Sequence, residues 1–246
     1  MPRLRARVSR WGAAAAALVV IGAALAAQLS VLTQGYYECD PNGYVMSAKQ
    51  LAQHHTLRFD GSDLLRFHDH MWVEWSRNDV YAKYPPGYPL FLALAWLLGG
   101  DRGIVWVSPL CGTIGLLAAY FLMRKMAGPW MALVGLVGLA INPMLALYGG
   151  YVLSHAASFA VVSVGMLLLW NWWEKGGLWR AALAGLVLGY APLVRYTDAL
   201  IAIPAAAVAL MRILGVRPGA CEEVSPAGSA PAGRPRAFRA AGAAAA

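Results

Sequence analysis

GAAAAALVVIGAALAAQLSVL, residues 12–32, is the stretch on which the reading of the chain turns. It holds 21 residues without a charge, enough for a helix to cross a bilayer core about 30 Å thick. One reading is a cleaved signal peptide, because the small residues from Ala24 to Gln28 offer a cleavage site. The run stays apolar beyond that point and more apolar runs follow it, which favours a retained first helix. Arg3, Arg5, Arg7 and Arg10 precede it with no acid among them, so the positive-inside rule puts its N-terminus in the cytoplasm. The polar segment 34–84 then becomes a long extracytoplasmic loop.

Composition agrees. The chain of 246 residues is 59% hydrophobic and 13% charged, with a mean hydropathy of +0.53, whereas soluble domains carry about 25% charged residues. Apolar runs recur at Ile104–Met123, Trp130–Tyr148, Leu153–Trp173, Trp179–Val194 and Thr197–Ile213. The expected fold is therefore an all-α, polytopic transmembrane helix bundle with a long extracytoplasmic first loop, in the cell membrane. Arg124 with Lys125, and Lys175 with Arg180, mark cytoplasmic ends. Parity then makes Pro85–Leu98 a juxtamembrane or re-entrant segment. The net charge of +8 sits at the ends of apolar runs and no nucleic-acid motif is present, so lipid rather than nucleic acid is the expected surroundings. Cys39, Cys111 and Cys221 are too scattered for a disulfide framework. Residues 1–214 read as one membrane domain. Residues 215–246, rich in Pro, Ala, Gly and Arg, read as a disordered or frameshifted tail.

The loop concentrates the polar chemistry. Between Tyr36 and Leu94 lie seven of the twelve acidic residues and four of the five histidines. Asp40-Pro41-Asn42-Gly43 reads as a turn. Tyr44–His54 reads as a short amphipathic helix carrying Val45, Ala48, Leu51 and Ala52 on one face. Thr56–Asp79 reads as irregular, and Pro85-Pro86-Gly87 as the start of the next apolar segment.

Each candidate residue has a functional and a plain reading. Asp40, with Glu38 beside it, is a carboxylate at the bilayer edge, suited to general-base work or simply to a helix start. Lys83 is a cation for a lipid phosphate or a snorkelling lysine. His68, Asp69 and His70, with Glu74 near, carry metal-ligand side chains at a spacing that also suits a solvated strand; a divalent metal is the one cofactor they suggest. Ser154 and His155 open one span; Arg195 and Asp198 interrupt another, where ionisable groups are costly unless paired or used.

The order of these features resembles a known group. A basic N-terminus and one helix lead to a loop opening with an acid and a YxxxAxxLA helix, YVMSAKQLA at residues 44–52. Then come KYPPGYPLFLAL at 83–94, NPMLALYGG at 142–150, SHAAS at 154–158 and GLVLGYAPLVRYTDAL at 185–200. This is similar to the polyprenyl-phosphate-dependent glycosyltransferases of the GT-C class. The nearest group is family 39-like, with the protein O-mannosyltransferases and the lipid A aminoarabinose transferases. The resemblance spans roughly residues 12–213, about half the usual length of such enzymes. It implies an inverting transfer from a polyprenyl-phosphate sugar to a lipid, glycan or protein hydroxyl. It implies Asp40 as base, with Glu38 as its neighbour. It also implies Lys83 at the donor phosphate, with His155 and Ser154 where relatives carry a second acid; Arg195 is a second candidate for the departing phosphate by its charge rather than by the resemblance. Lys83 stands one residue farther from the double proline than in the family, with Tyr84 between. The competing expectations are a transporter-like protein and a noncatalytic multi-pass protein.

Overall fold

The computed structural model describes residues 2–32, 39–59, 73–76 and 79–216. Glu38, the His68-Asp69-His70 group and the tail beyond residue 216 lie outside the described residues. The architecture is an all-α bundle carrying one small sheet. Its elements in order are α1 (Pro2–Ser30), α2 (Cys39–His54), β1 (Arg58–Phe59), β2 (Val73–Ser76), β3 (Asp79–Ala82) and α3 (Gly87–Ala127). After these come α4 (Pro129–Ala140), α5 (Pro143–Gly150), α6 (Ser154–Lys175), α7 (Leu178–Val194), a 3-10 turn (Tyr196–Ile201) and α8 (Ala202–Ile213).

Among the described residues, four helical segments are long and apolar enough to cross a membrane: Trp11–Ser30, Gly87–Ala127, Ser154–Lys175 and Tyr196–Ile213. The run expected as one span over Trp130–Tyr148 is broken. It forms α4 and α5, bent by 64°. Asn142 causes the break: its side chain accepts the backbone N–H of Met144 at 3.0 Å and Pro143 starts a new helix behind it. Of the segment Pro85–Leu98, Gly87 onward is helical, and at Gly100 the chain folds back into the following span, so that Tyr88 and Ser108, 20 positions apart, share a hydrogen bond at 2.8 Å. Gly100 has φ 60° and ψ −148°, a conformation open essentially to glycine alone.

The core forms where α3, α6 and α7 pack. Tyr88, Leu92, Ile104, Ala157, Ala191 and Val194 are buried together there. α1 closes another side: Ala17, Ile21 and Ala24 pack on Leu116 and Tyr120 of α3 and on Ala132 and Leu136 of α4. The apolar face read at Val45 and Ala48 is buried, against the first half of α3. α2 also begins earlier than the sequence suggests. Residues 40–43 form its first turn rather than a separate turn, since proline is accommodated where no N–H partner is needed.

Part of the loop read as irregular is a three-stranded antiparallel sheet in the order β1-β3-β2. Arg58 faces Tyr81, and Trp75 faces Val80. The strands are two to four residues long, too short to register as an alternating pattern. Phe59 and Val80 are buried against Met46 and Tyr84, and Gln50 Nε2 donates to the Arg58 carbonyl at 2.7 Å. The sheet thus fastens to α2 and delivers residues 83–86 over its start.

Candidate functional site

The two ends of the bundle differ in what they bring together. At one end meet the start of α2, the start of α3, the α5–α6 junction and the end of α7. Asp40 stands in the first turn of α2, exposed. Tyr44 lies one helical turn on and therefore on the same face. Its hydroxyl shares a hydrogen bond with Ser154 Oγ at 3.0 Å, joining α2 to the first residue of α6. The Tyr44 ring packs on Tyr84 with centroids 4.7 Å apart and meets Tyr88 edge-on at 5.0 Å. Tyr88 is fully buried and shares a hydrogen bond with Ser108 at 2.8 Å. The Tyr84 hydroxyl donates to Asp40 Oδ1.

Arg195 reaches this end from α7. It follows the last residue of the helix in extended backbone, and its N–H caps the helix through the Ala191 carbonyl at 3.0 Å. The approach of α7 depends on Gly87. A Cβ there would lie 2.6 Å from the backbone carbon and oxygen of Leu193, so only a glycine lets the two helices meet. The Tyr190 hydroxyl donates to the Gly87 carbonyl at 2.8 Å and holds the contact. The charges of Asp40 and Arg195 both act on Tyr44 and on His155. The pKa of Tyr44 is raised above its ordinary value of 10.0 chiefly by burial and also by the Asp40 charge, against the Ser154 hydrogen bond and Arg195. It therefore stays a neutral phenol beside the carboxylate. His155 stacks on Tyr148 at 4.0 Å, and its Nδ1 is buried with no hydrogen-bond partner among the described residues. It lines a cavity of about 220 Å³ with Asn142, Met144 and Phe159.

The structure thus brings together Asp40, Ser154, His155 and Arg195 from three elements: α2, α6 and the end of α7. Lys83 is exposed beside Tyr84 and makes no ion pair with a described residue. Arg195 and Asp198 do not neutralise each other through their side chains. They are linked by the backbone, Asp198 N–H to Arg195 carbonyl at 2.9 Å, and Asp198 Oδ2 has no hydrogen-bond partner among the described residues. No group of three His, Cys, Asp or Glu side chains suited to a metal occurs among the described residues. Reading the sequence missed Tyr44, Tyr84 and Tyr88. The spacing of Asp40 and Tyr44 was a usable signal for the first.

A family model described as dolichyl-phosphate-mannose-protein mannosyltransferase matches residues 83–217, more than half of the chain. The chain belongs to that family. It is a family of membrane glycosyltransferases of the GT-C class. No curated protein matches the chain. The family match contains Lys83, Tyr84, Tyr88, Ser154, His155 and Arg195 but begins after Asp40. The connection of Asp40 to the family segment is therefore spatial, made through Tyr84 and Tyr44.

Proposed function

We propose that the chain transfers a sugar from a polyprenyl-phosphate donor to an acceptor hydroxyl on the extracytoplasmic side of the membrane, with inversion at the anomeric carbon. The observation that carries this reading is that an exposed carboxylate, Asp40, and the guanidinium of Arg195 both lie close enough to act on Tyr44 and His155, at one end of a bundle from this glycosyltransferase family. Asp40 takes the proton of the acceptor hydroxyl as its oxygen attacks the anomeric carbon. The bond from that carbon to the phosphate oxygen breaks, and the polyprenyl phosphate leaves with the electron pair. Arg195 stabilises the charge gathering on the departing phosphate, with Lys83 reaching from the exposed edge. Ser154 and His155 line the acceptor side, and Glu38 belongs to the same loop.

The distribution of charge supports the proposed sidedness. Arg124, Lys125, Lys175, Arg180 and Arg212 all belong to the end of the bundle opposite Asp40, which supports a cytoplasmic placement for that end.

The test is a transfer assay in membranes with the full chain and a panel of polyprenyl-phosphate sugars that includes dolichyl-phosphate mannose. Nucleotide sugars serve as the contrasting donors. Transfer from a lipid-phosphate donor, lost in Asp40→Asn at equal expression, supports the reading. Transfer from nucleotide sugars alone, or transfer that survives Asp40→Asn, refutes it.

A further inference from the structure

We infer that Tyr84 is a positioning residue for the proposed base, an inference that rests on the reading of Asp40 above. The side chain is fixed from two sides. Its ring packs on Tyr44 at 4.7 Å and on the Phe59–Val80 cluster of the sheet. Tyr44 is in turn anchored to α6 through Ser154, and the neighbouring Tyr88 to Ser108. The phenolic hydroxyl at the end of this rigid stack donates to Asp40 Oδ1. A carboxylate has two acceptor oxygens, and occupying one fixes the plane and leaves Oδ2 for the incoming hydroxyl. Asp40 is exposed, so without such a restraint its carboxylate would rotate among many orientations, most of them unproductive.

The chemical type of the partner matters as much as its place. A lysine here would pair with Asp40 and weaken it as a base. A phenol orients the carboxylate and leaves its charge in place. Burial keeps the adjacent Tyr44 neutral, so the stack adds no competing negative charge. Tyr84 directly precedes Pro85-Pro86, and a proline restricts the backbone of the residue before it by disfavouring the helical region. Lys83, one residue earlier, is exposed. The side chain aimed at Asp40 from the double-proline segment is therefore a tyrosine rather than a cation.

The experiment compares kcat and donor KM for the wild type, Tyr84→Phe, Tyr84→Ala and Asp40→Asn, using whichever panel donor supports transfer. Tyr84→Phe keeps the ring and loses only the hydroxyl. Its kcat is expected to fall roughly tenfold to a hundredfold, the range for losing a hydrogen bond to a charged group. Its donor KM is expected to stay within about twofold, because the lost interaction is not with the donor. In the Asp40→Asn background the same substitution is expected to cost little more, since both changes act on one group. A Tyr84→Phe variant with wild-type kcat overturns the inference even if Tyr84→Ala is inactive, because the ring alone would then be sufficient. If Asp40→Asn is inactive in that case, the base assignment survives. Full activity in Asp40→Asn, or no transfer by the wild type from any donor, overturns both.

Discussion

The Asp40 end and the Lys125 end of the bundle are held together by different chemistry. At the first, neutral hydroxyls join elements far apart in sequence: Tyr44 to Ser154, Tyr88 to Ser108 and Tyr190 to the Gly87 carbonyl. At the second, Lys125 pairs with Glu174 at 2.6 Å, Glu174 also accepts from Trp170 at 2.8 Å, and Arg180 and Arg212 lie over Trp179 and Trp172. The second end is what an interface with lipid headgroups needs: charges that stay solvated and aromatic rings beside them. The first end buries the hydroxyls of Tyr44, Tyr88 and Ser108 and pairs them internally, which costs more to build and gives fixed geometry, while His155 Nδ1 stays buried with no partner among the described residues. Fixed geometry around one exposed carboxylate supports the proposal that places the chemistry at this end.

Substitutions that separate the two ends should follow that order. The largest expected effect is Asp40→Asn, a loss of transfer of about a hundredfold or more, the usual range for removing a general base. Arg195→Ala comes next, with kcat reduced by roughly thirtyfold and partial recovery in Arg195→Lys, since a lysine keeps the charge but not the planar fork. Gly87→Val is expected to destabilise the folded chain by about 1–3 kcal/mol, read as a lowered melting temperature in detergent, because neither facing backbone can yield.

The hydroxyl contacts give smaller effects. Ser154→Ala is expected to cost about 1 kcal/mol of stability through the lost bond to Tyr44. The same pair has a pH signature. Because the pKa of Tyr44 is raised in the folded state, its contribution is fully present below pH 10.0 and is lost as pH rises through the higher folded value. Tyr44→Phe should flatten that alkaline decline. The smallest effect belongs to the other end. Lys125→Ala removes an ion pair whose side chains are 30% and 29% exposed, and is expected to change stability by about 0.5 kcal/mol and activity hardly at all. A large activity loss from Lys125→Ala would erase the distinction between the ends.

Much of the helical architecture was legible because long uncharged runs and flanking basic residues follow from the bilayer itself. The break inside 130–148 was not read, although Asn142-Pro143 carries the signal; apolar continuity masked a local cap. The sheet escaped because strands of two to four residues leave no period. Within the site, Asp40, Ser154, His155 and Arg195 stood out as polar groups bordering apolar runs, and the structure gathers them. The Tyr84 contact spans 44 positions, and no local pattern encodes a pairing that the sheet and the double proline create together. Lys83 drew attention by charge, while the geometry directs its uncharged neighbour at Asp40.

The most direct measurement is photo-crosslinking of the full chain in membranes with a polyprenyl-phosphate sugar carrying a photoreactive group next to the phosphate, mapped by mass spectrometry. Crosslinks at residues 83–88 and 191–196 are the expected result, fixing the donor phosphate at the Asp40 end. Crosslinks confined to residues 170–180 and 212, at the Lys125 end, would contradict the assignment of the chemistry to the Asp40 end.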